Sequence, residues 1–223
     1  MEQPNNKQDV LLDYTFVLDA SGSMRSDIPE VLEEVNKQIR ELKEKFEETQ
    51  RPCRVTITRF DSDLVVLRDG ERIQNLEELT AVDYFSGGMT ALYDAFGVSV
   101  KRADARVDYM VKRGDAEALV VVFTDGGENA SKEFSAESVR QLFLDYQERD
   151  GWTIALIGTD FDAMEDMERR HMDRKKMRSY TQKEKRRAVS NLSASVSDYY
   201  SVKDSSFSLS KERYMEEQNS RKK

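Results

Sequence analysis

The sequence predicts an α/β fold, a doubly wound and mostly parallel sheet with helices on both faces, on three observations. Apolar, β-branched segments alternate with amphipathic helical ones along the chain. Two of these segments, within "ALVVVFTDGG" and "WTIALIG", are continuous apolar runs, which marks strands covered on both faces. Asp19 and Asp125 each stand at the end of an apolar strand, where ligands gather in such sheets.

The elements follow in order. Asp13-Tyr14-Thr15-Phe16-Val17-Leu18 reads as the first strand. Ile28, Val31, Leu32, Val35, Ile39, Leu42 and Phe46 then recur at spacings of three and four, one apolar stripe on a helix running to about Glu48. Ser26 or Asp27 is expected to cap it, with Pro29 tolerated in its first turn. "RVTITRF" and "LVVLR" flank Asp61-Ser62-Asp63 as a hairpin, so one strand of the pair runs antiparallel to its neighbour. A helix is expected from near Thr90 to before Gly114. Val139, Leu142, Phe143 and Tyr146 define another, closed by Gly151. Thr181 and Glu184 form a capping-box pattern ahead of Ala188, Val189, Leu192, Val196 and Tyr199, a last amphipathic helix. One domain over 10–203 is expected, with a flexible N-terminus over 1–9 and a polar, poorly ordered tail over 204–223.

Charged residues make up 35% of the 223 and hydrophobic ones 38%, and the net charge is −8. That balance opposes nucleic-acid binding by the whole domain, because its mean field repels phosphate. The segment 169–187 is locally basic, which reads as a solvated face or, alternatively, as a patch for nucleic acid or an acidic partner. No apolar run approaches the roughly 18 residues of a membrane span, and "MEQPNNKQDV" is unlike a secretory leader, so a cytoplasmic protein is expected. Cys53, the single cysteine, admits no intrachain disulfide and reads as a buried strand residue.

"LDASGSM", residues 18 to 24, concentrates oxygen ligands where strand hands over to helix. In an extended segment alternate side chains share one side, so Asp19, Ser21 and Ser23 converge, while Gly22 clears the turn. "FSGGMTALYDAF" delivers Thr90 from a loop-to-helix junction, and "FTDGGENAS" delivers Asp125 from a strand end. Hydroxyls and carboxylates suit a hard divalent cation, and few direct protein ligands suit Mg²⁺, with Mn²⁺ able to substitute.

This combination resembles the von Willebrand factor A-type domain, whose metal-ion-dependent adhesion site follows Asp-x-Ser-x-Ser, a distant Thr and a distant Asp. The match is Asp19, Ser21, Ser23, Thr90 and Asp125, and the element order agrees from about Val10 to Val202. The resemblance implies a six-stranded sheet with one antiparallel edge strand. It implies hydroxyl contacts to the metal from Ser21, Ser23 and Thr90, with Asp19 and Asp125 acting largely through water. It further implies a binding module of the stand-alone intracellular kind found in bacteria and phages. Its metal would accept a Glu or Asp from a partner protein, with Arg25, Met89, Glu128 and Asn129 setting partner choice. A monomer is expected.

The competing reading is a Mg²⁺-dependent hydrolase, which needs a general base or a second metal. His171, the only histidine, lies in the charged stretch "MERRHMDRKK", and no Walker-type loop occurs. Asp160 and Asp162 read as turn formers. The chain is therefore not expected to be an enzyme.

Overall fold

The computed structural model describes residues 10–124 and 127–157. Expectations placed on 1–9 and 158–223, including the last helix, the basic segment, His171, Asp160, Asp162 and the tail, lie outside the described residues, as does Asp125.

Eight elements follow in chain order: β1 (Leu11–Asp19), α1 (Ile28–Thr49), β2 (Cys53–Phe60), β3 (Leu64–Arg72), α2 (Leu92–Lys112), β4 (Ala116–Phe123), α3 (Ala136–Gln147) and β5 (Trp152–Ile157). The described residues form a five-stranded sheet in the order β3-β2-β1-β4-β5. β1 runs parallel to β2 and β4, and β4 parallel to β5. β3 runs antiparallel to β2 at the edge, so the hairpin expectation is met.

Period-two alternation divides the apolar side chains between the two faces. Tyr14, Phe16 and Leu18 of β1 and Leu119 and Val121 of β4 pack with Val35, Ile39 and Leu42 of α1. Val17 of β1 and Val120 and Val122 of β4 face the other way, onto Phe96 and Val100 of α2 and Phe143 of α3. The sheet is thus covered on both faces, which is why β1 and β4 read as nearly unbroken apolar runs. Each fully buried Leu, Ile or Phe contributes roughly 1.5–3 kcal/mol of burial free energy.

Two local expectations are corrected. Neither Ser26 nor Asp27 caps α1 through a side chain. A 3-10 turn at Gly22–Ser26 runs straight into the helix, and Asp27 already has helical backbone angles, so no extended cap residue exists to aim its side chain at the first N–H groups. Gly151 does not close α3 either: that helix ends at Gln147 with Glu148 as its cap. Gly151 instead takes φ +81° in the turn into β5, where an added Cβ would lie 2.4 Å from Val111 Cγ1. Cys53 is buried as expected, and burial pushes its thiol far above the ordinary cysteine range.

Candidate metal centre

β1 delivers Asp19 fully buried at the carboxyl edge of the sheet. Sheet pairing continues one residue further, since Ala20 N donates to Phe60 O at 2.7 Å, and the chain then enters the 3-10 turn with Ser21 at its start. Ser21 Oγ and Ser23 Oγ stand 3.1 Å apart. Of the three side chains expected to converge, the two serine hydroxyls meet, and a helical turn brings them together and not alternation along an extended segment, while the Asp19 carboxylate reaches the Ser21 amide. The role expected of Gly22 also changes. Its φ is not positive, and an added Cβ would rest 3.6 Å from Gly88 O, an ordinary contact.

The glycine that the site requires is Gly88, at φ +65°, where an added Cβ would come within 2.8 Å of Ser62 Oγ. Its carbonyl accepts from Gly22 N at 3.3 Å, and Gly87 N donates to Ala20 O at 2.7 Å. Met89 N donates to Ser62 Oγ at 2.9 Å, and Ala91 N to Asp61 O at 2.8 Å. Main-chain bonds thus stitch the segment before α2 to both the β1–α1 turn and the β2–β3 turn, which fixes where Thr90 sits.

Asp19 is held by groups the sequence reading missed. Its Oδ1 accepts from Ser21 N at 2.7 Å, and its Oδ2 from Thr124 Oγ1 at 2.6 Å. Tyr84, also fully buried, donates its hydroxyl to the Asp19 carbonyl. Thr124 carried a usable signal, since it directly precedes Asp125 at a strand end. Tyr84 carried none, lying 65 residues away in an irregular loop.

Thr90 and Asn129 are paired both ways. Thr90 N donates to Asn129 Oδ1 at 2.8 Å, and Asn129 N to Thr90 O at 3.0 Å. The Thr90 side chain is nearly buried, and its hydroxyl has no hydrogen-bond partner among the described residues. Glu128 gives both carboxylate oxygens to its own surroundings. They accept from Tyr93 N, Ala130 N, Ser131 N and Ser131 Oγ at 2.6–2.9 Å. Asp94 does the same from α2, accepting from the amides of Lys132, Glu133 and Phe134 at 2.7–2.9 Å.

Of the four residues expected to choose a partner, Arg25 and Met89 are therefore exposed on the rim. Asn129 and Glu128 are engaged in holding the β4–α3 loop against the start of α2. Asp94→Ala strands three loop amides. It is expected to cost about 1–3 kcal/mol and to raise hydrogen exchange at Lys132, Glu133 and Phe134 selectively. Unchanged exchange there would show that the loop does not depend on the carboxylate.

The donor chemistry fits a hard dication. One fully buried carboxylate and three hydroxyls are all oxygen, and no cluster of three or more His, Cys, Asp or Glu occurs among the described residues. The Ser21–Ser23 separation of 3.1 Å matches the edge of an octahedron with metal–oxygen bonds of ~2.1 Å, which is ~3.0 Å. Ser21, Ser23 and Thr90 would supply hydroxyl oxygens, and Asp19 a charge that a cation offsets.

Comparison with known proteins bears on the fold. The pilus adhesin SpaC of Lactobacillus rhamnosus GG, in its open conformation, is similar at 11% identity and a TM-score of 0.62, over 86% of this chain and 30% of that one. The manganese-loaded TRAP protein of Plasmodium vivax matches at 18% identity and 0.52, over 79% and 70%. Proximal thread matrix protein 1 of the mussel byssus matches at 17% and 0.50, over 85% and 46%. The chain thus spans less than half the length of the byssus protein and of the adhesin. These likenesses concern the fold. No curated protein matches the sequence. The model of the von Willebrand factor type A domain matches residues 13–203. With that match over most of its length, the chain belongs to the von Willebrand factor type A domain family, known for metal-dependent protein–protein interaction.

Proposed function

We propose that the chain is a metal-dependent protein-binding module. Mg²⁺, with Mn²⁺ able to substitute, is held by Asp19, Ser21, Ser23, Thr90 and Asp125 as in a metal-ion-dependent adhesion site. When bound, the cation supplies an electrophilic position open to a Glu or Asp carboxylate of a partner protein. The observation that carries this reading is the convergence of the Ser21 and Ser23 hydroxyls beside buried Asp19, with a Thr90 hydroxyl left without a partner among the described residues. The manganese-loaded state of the similar Plasmodium vivax protein supports Mn²⁺ as a substitute.

The protein's own residues divide the work. Asp19 contributes charge, and its orientation is fixed by Ser21 N and Thr124. The two serines and Thr90 are neutral donors that leave the cation electropositive toward an incoming carboxylate. The module serves complex assembly and not catalysis, and acts as a monomer in the cytoplasm. Cys53 is free and buried, and no helix among the described residues is long and apolar enough to cross a membrane.

Water-proton relaxation with Mn²⁺ tests the reading. Binding of Mn²⁺ should enhance relaxation, and addition of a peptide with a single glutamate should reduce the enhancement as the carboxylate displaces metal-bound water. Thr90→Ala should weaken Mn²⁺ binding about tenfold, the effect of ~1.4 kcal/mol, while leaving the melting temperature nearly unchanged. Enhancement that no carboxylate reduces would contradict the proposed role.

A further inference from the structure

Four of the five exposed large apolar side chains among the described residues, Val65 on β3 and Val82, Phe85 and Met89 between β3 and α2, fall in one stretch of the chain. Three of them are tied to one place. Met89 directly precedes Thr90, and its amide bonds to Ser62 in the β2–β3 turn. Val65 lies opposite Arg59 in the β2–β3 register, and the Arg59 guanidinium stacks 4.1 Å from the centre of the Phe85 ring. Phe85 is 51% exposed and Met89 56%. This apolar rim adjoins the candidate metal centre, since Arg59 precedes Phe60, the register partner of Asp19.

Arg59 distinguishes the rim from an accidental apolar patch. Its guanidinium has no carboxylate partner among the described residues, and Arg59 Nε is buried without a hydrogen-bond partner. By contrast Arg51, Arg68, Arg106 and Arg149 all pair with acids. Arg25, on the turn that carries Ser23, likewise has no carboxylate partner among the described residues. A guanidinium stacked on an aromatic face is held in place with its terminal N–H groups free to grip a carboxylate. Acidic ligands therefore match the charge of this rim, and apolar ones its surface.

We propose that this rim docks an acidic segment of a partner protein. One carboxylate goes to the metal, a neighbouring apolar side chain rests on Phe85 and Met89, and a second carboxylate binds Arg59. The inference rests on the metal-dependent reading and names the chemistry of the partner.

The test pans phage-displayed random twelve-residue peptides on the full chain in Mn²⁺, eluting with chelator. Enriched peptides should carry two acidic residues with an apolar one beside them. Synthetic versions, followed by fluorescence anisotropy, should bind at least tenfold more weakly to Arg59→Ala and to Phe85→Ser. Both variants should bind Mn²⁺ as the parent does by electron paramagnetic resonance, since neither residue is a ligand. Chelator-eluted peptides that bind both variants as tightly as the parent would overturn the docking proposal and leave the metal reading standing. Peptides that resist chelator but are lost in Arg59→Ala would keep the rim and remove the metal from it. A selection that yields no chelator-eluted peptide would sink both.

Discussion

Asp19→Ala is expected to abolish measurable Mn²⁺ binding and to lower stability by about 1–3 kcal/mol. The two effects have separate causes. The carboxylate is the charged donor that β1 brings to the centre, so its loss leaves only neutral hydroxyls from the described residues. It is also the acceptor for Ser21 N and Thr124 Oγ1 in a fully buried position, and removing it leaves those donors unsatisfied. Asp19→Asn keeps an acceptor of nearly the same shape while removing the charge. It should lose most metal affinity yet melt within a few degrees of the parent, given roughly 2–4 °C per kcal/mol at this size. Titration by electron paramagnetic resonance and thermal denaturation of the three proteins separate these effects. Parental Mn²⁺ affinity in Asp19→Ala would remove this residue from the site.

Asp13→Ala is expected to destabilise the fold by about 3–5 kcal/mol without altering Mn²⁺ affinity. Asp13 sits on β1, 1% exposed, where it accepts from Arg106 Nε at 2.7 Å and Nη2 at 2.6 Å. Burial alone would lower the Arg106 pKa, but Asp13 outweighs it and holds the guanidinium above its usual range. Removing Asp13 leaves a largely buried cation whose remaining acid, Asp69, is 3.7 Å away and more than half exposed. Replacing both partners by leucine should recover most of the loss, because an apolar pair leaves no charge uncompensated. A double-mutant cycle by chemical denaturation measures this. Single variants within 0.5 kcal/mol of the parent on the order-of-magnitude scale of surface changes would show the pair to be incidental.

What could be read from the sequence was what is encoded locally. The three- and four-residue spacing of Val31, Val35, Ile39 and Leu42 places α1, and the Asp61-Ser62-Asp63 turn places the β2–β3 hairpin. Ser21, Ser23 and Thr90 stood out because hydroxyls and glycines cluster at strand-to-helix junctions, and the structure brings the two serines together. The mechanism of that convergence was not legible, since an extended segment and a 3-10 turn both place residues i and i+2 within reach. Distant pairings were invisible as well. Arg106 lies 93 residues from Asp13, and nothing nearby marks either as a partner. The irregular stretch after β3 shows neither strand nor helix periodicity, yet Leu76, Leu79 and Tyr84 are buried in it. Asn36 of α1 anchors it by exchanging hydrogen bonds of 2.8 and 2.9 Å with the Leu79 backbone. An asparagine on a helix looks like a surface residue until the loop it clamps is in place.

Anomalous diffraction from crystals of the protein grown in Mn²⁺ is the most direct measurement of the central claim. One peak is expected within metal–oxygen bonding distance of Ser21 Oγ and Ser23 Oγ, at the carboxyl end of β1 and beside Asp19 and Thr90. A peak elsewhere on the surface, or none at a Mn²⁺ concentration that saturates binding in solution, would contradict the account.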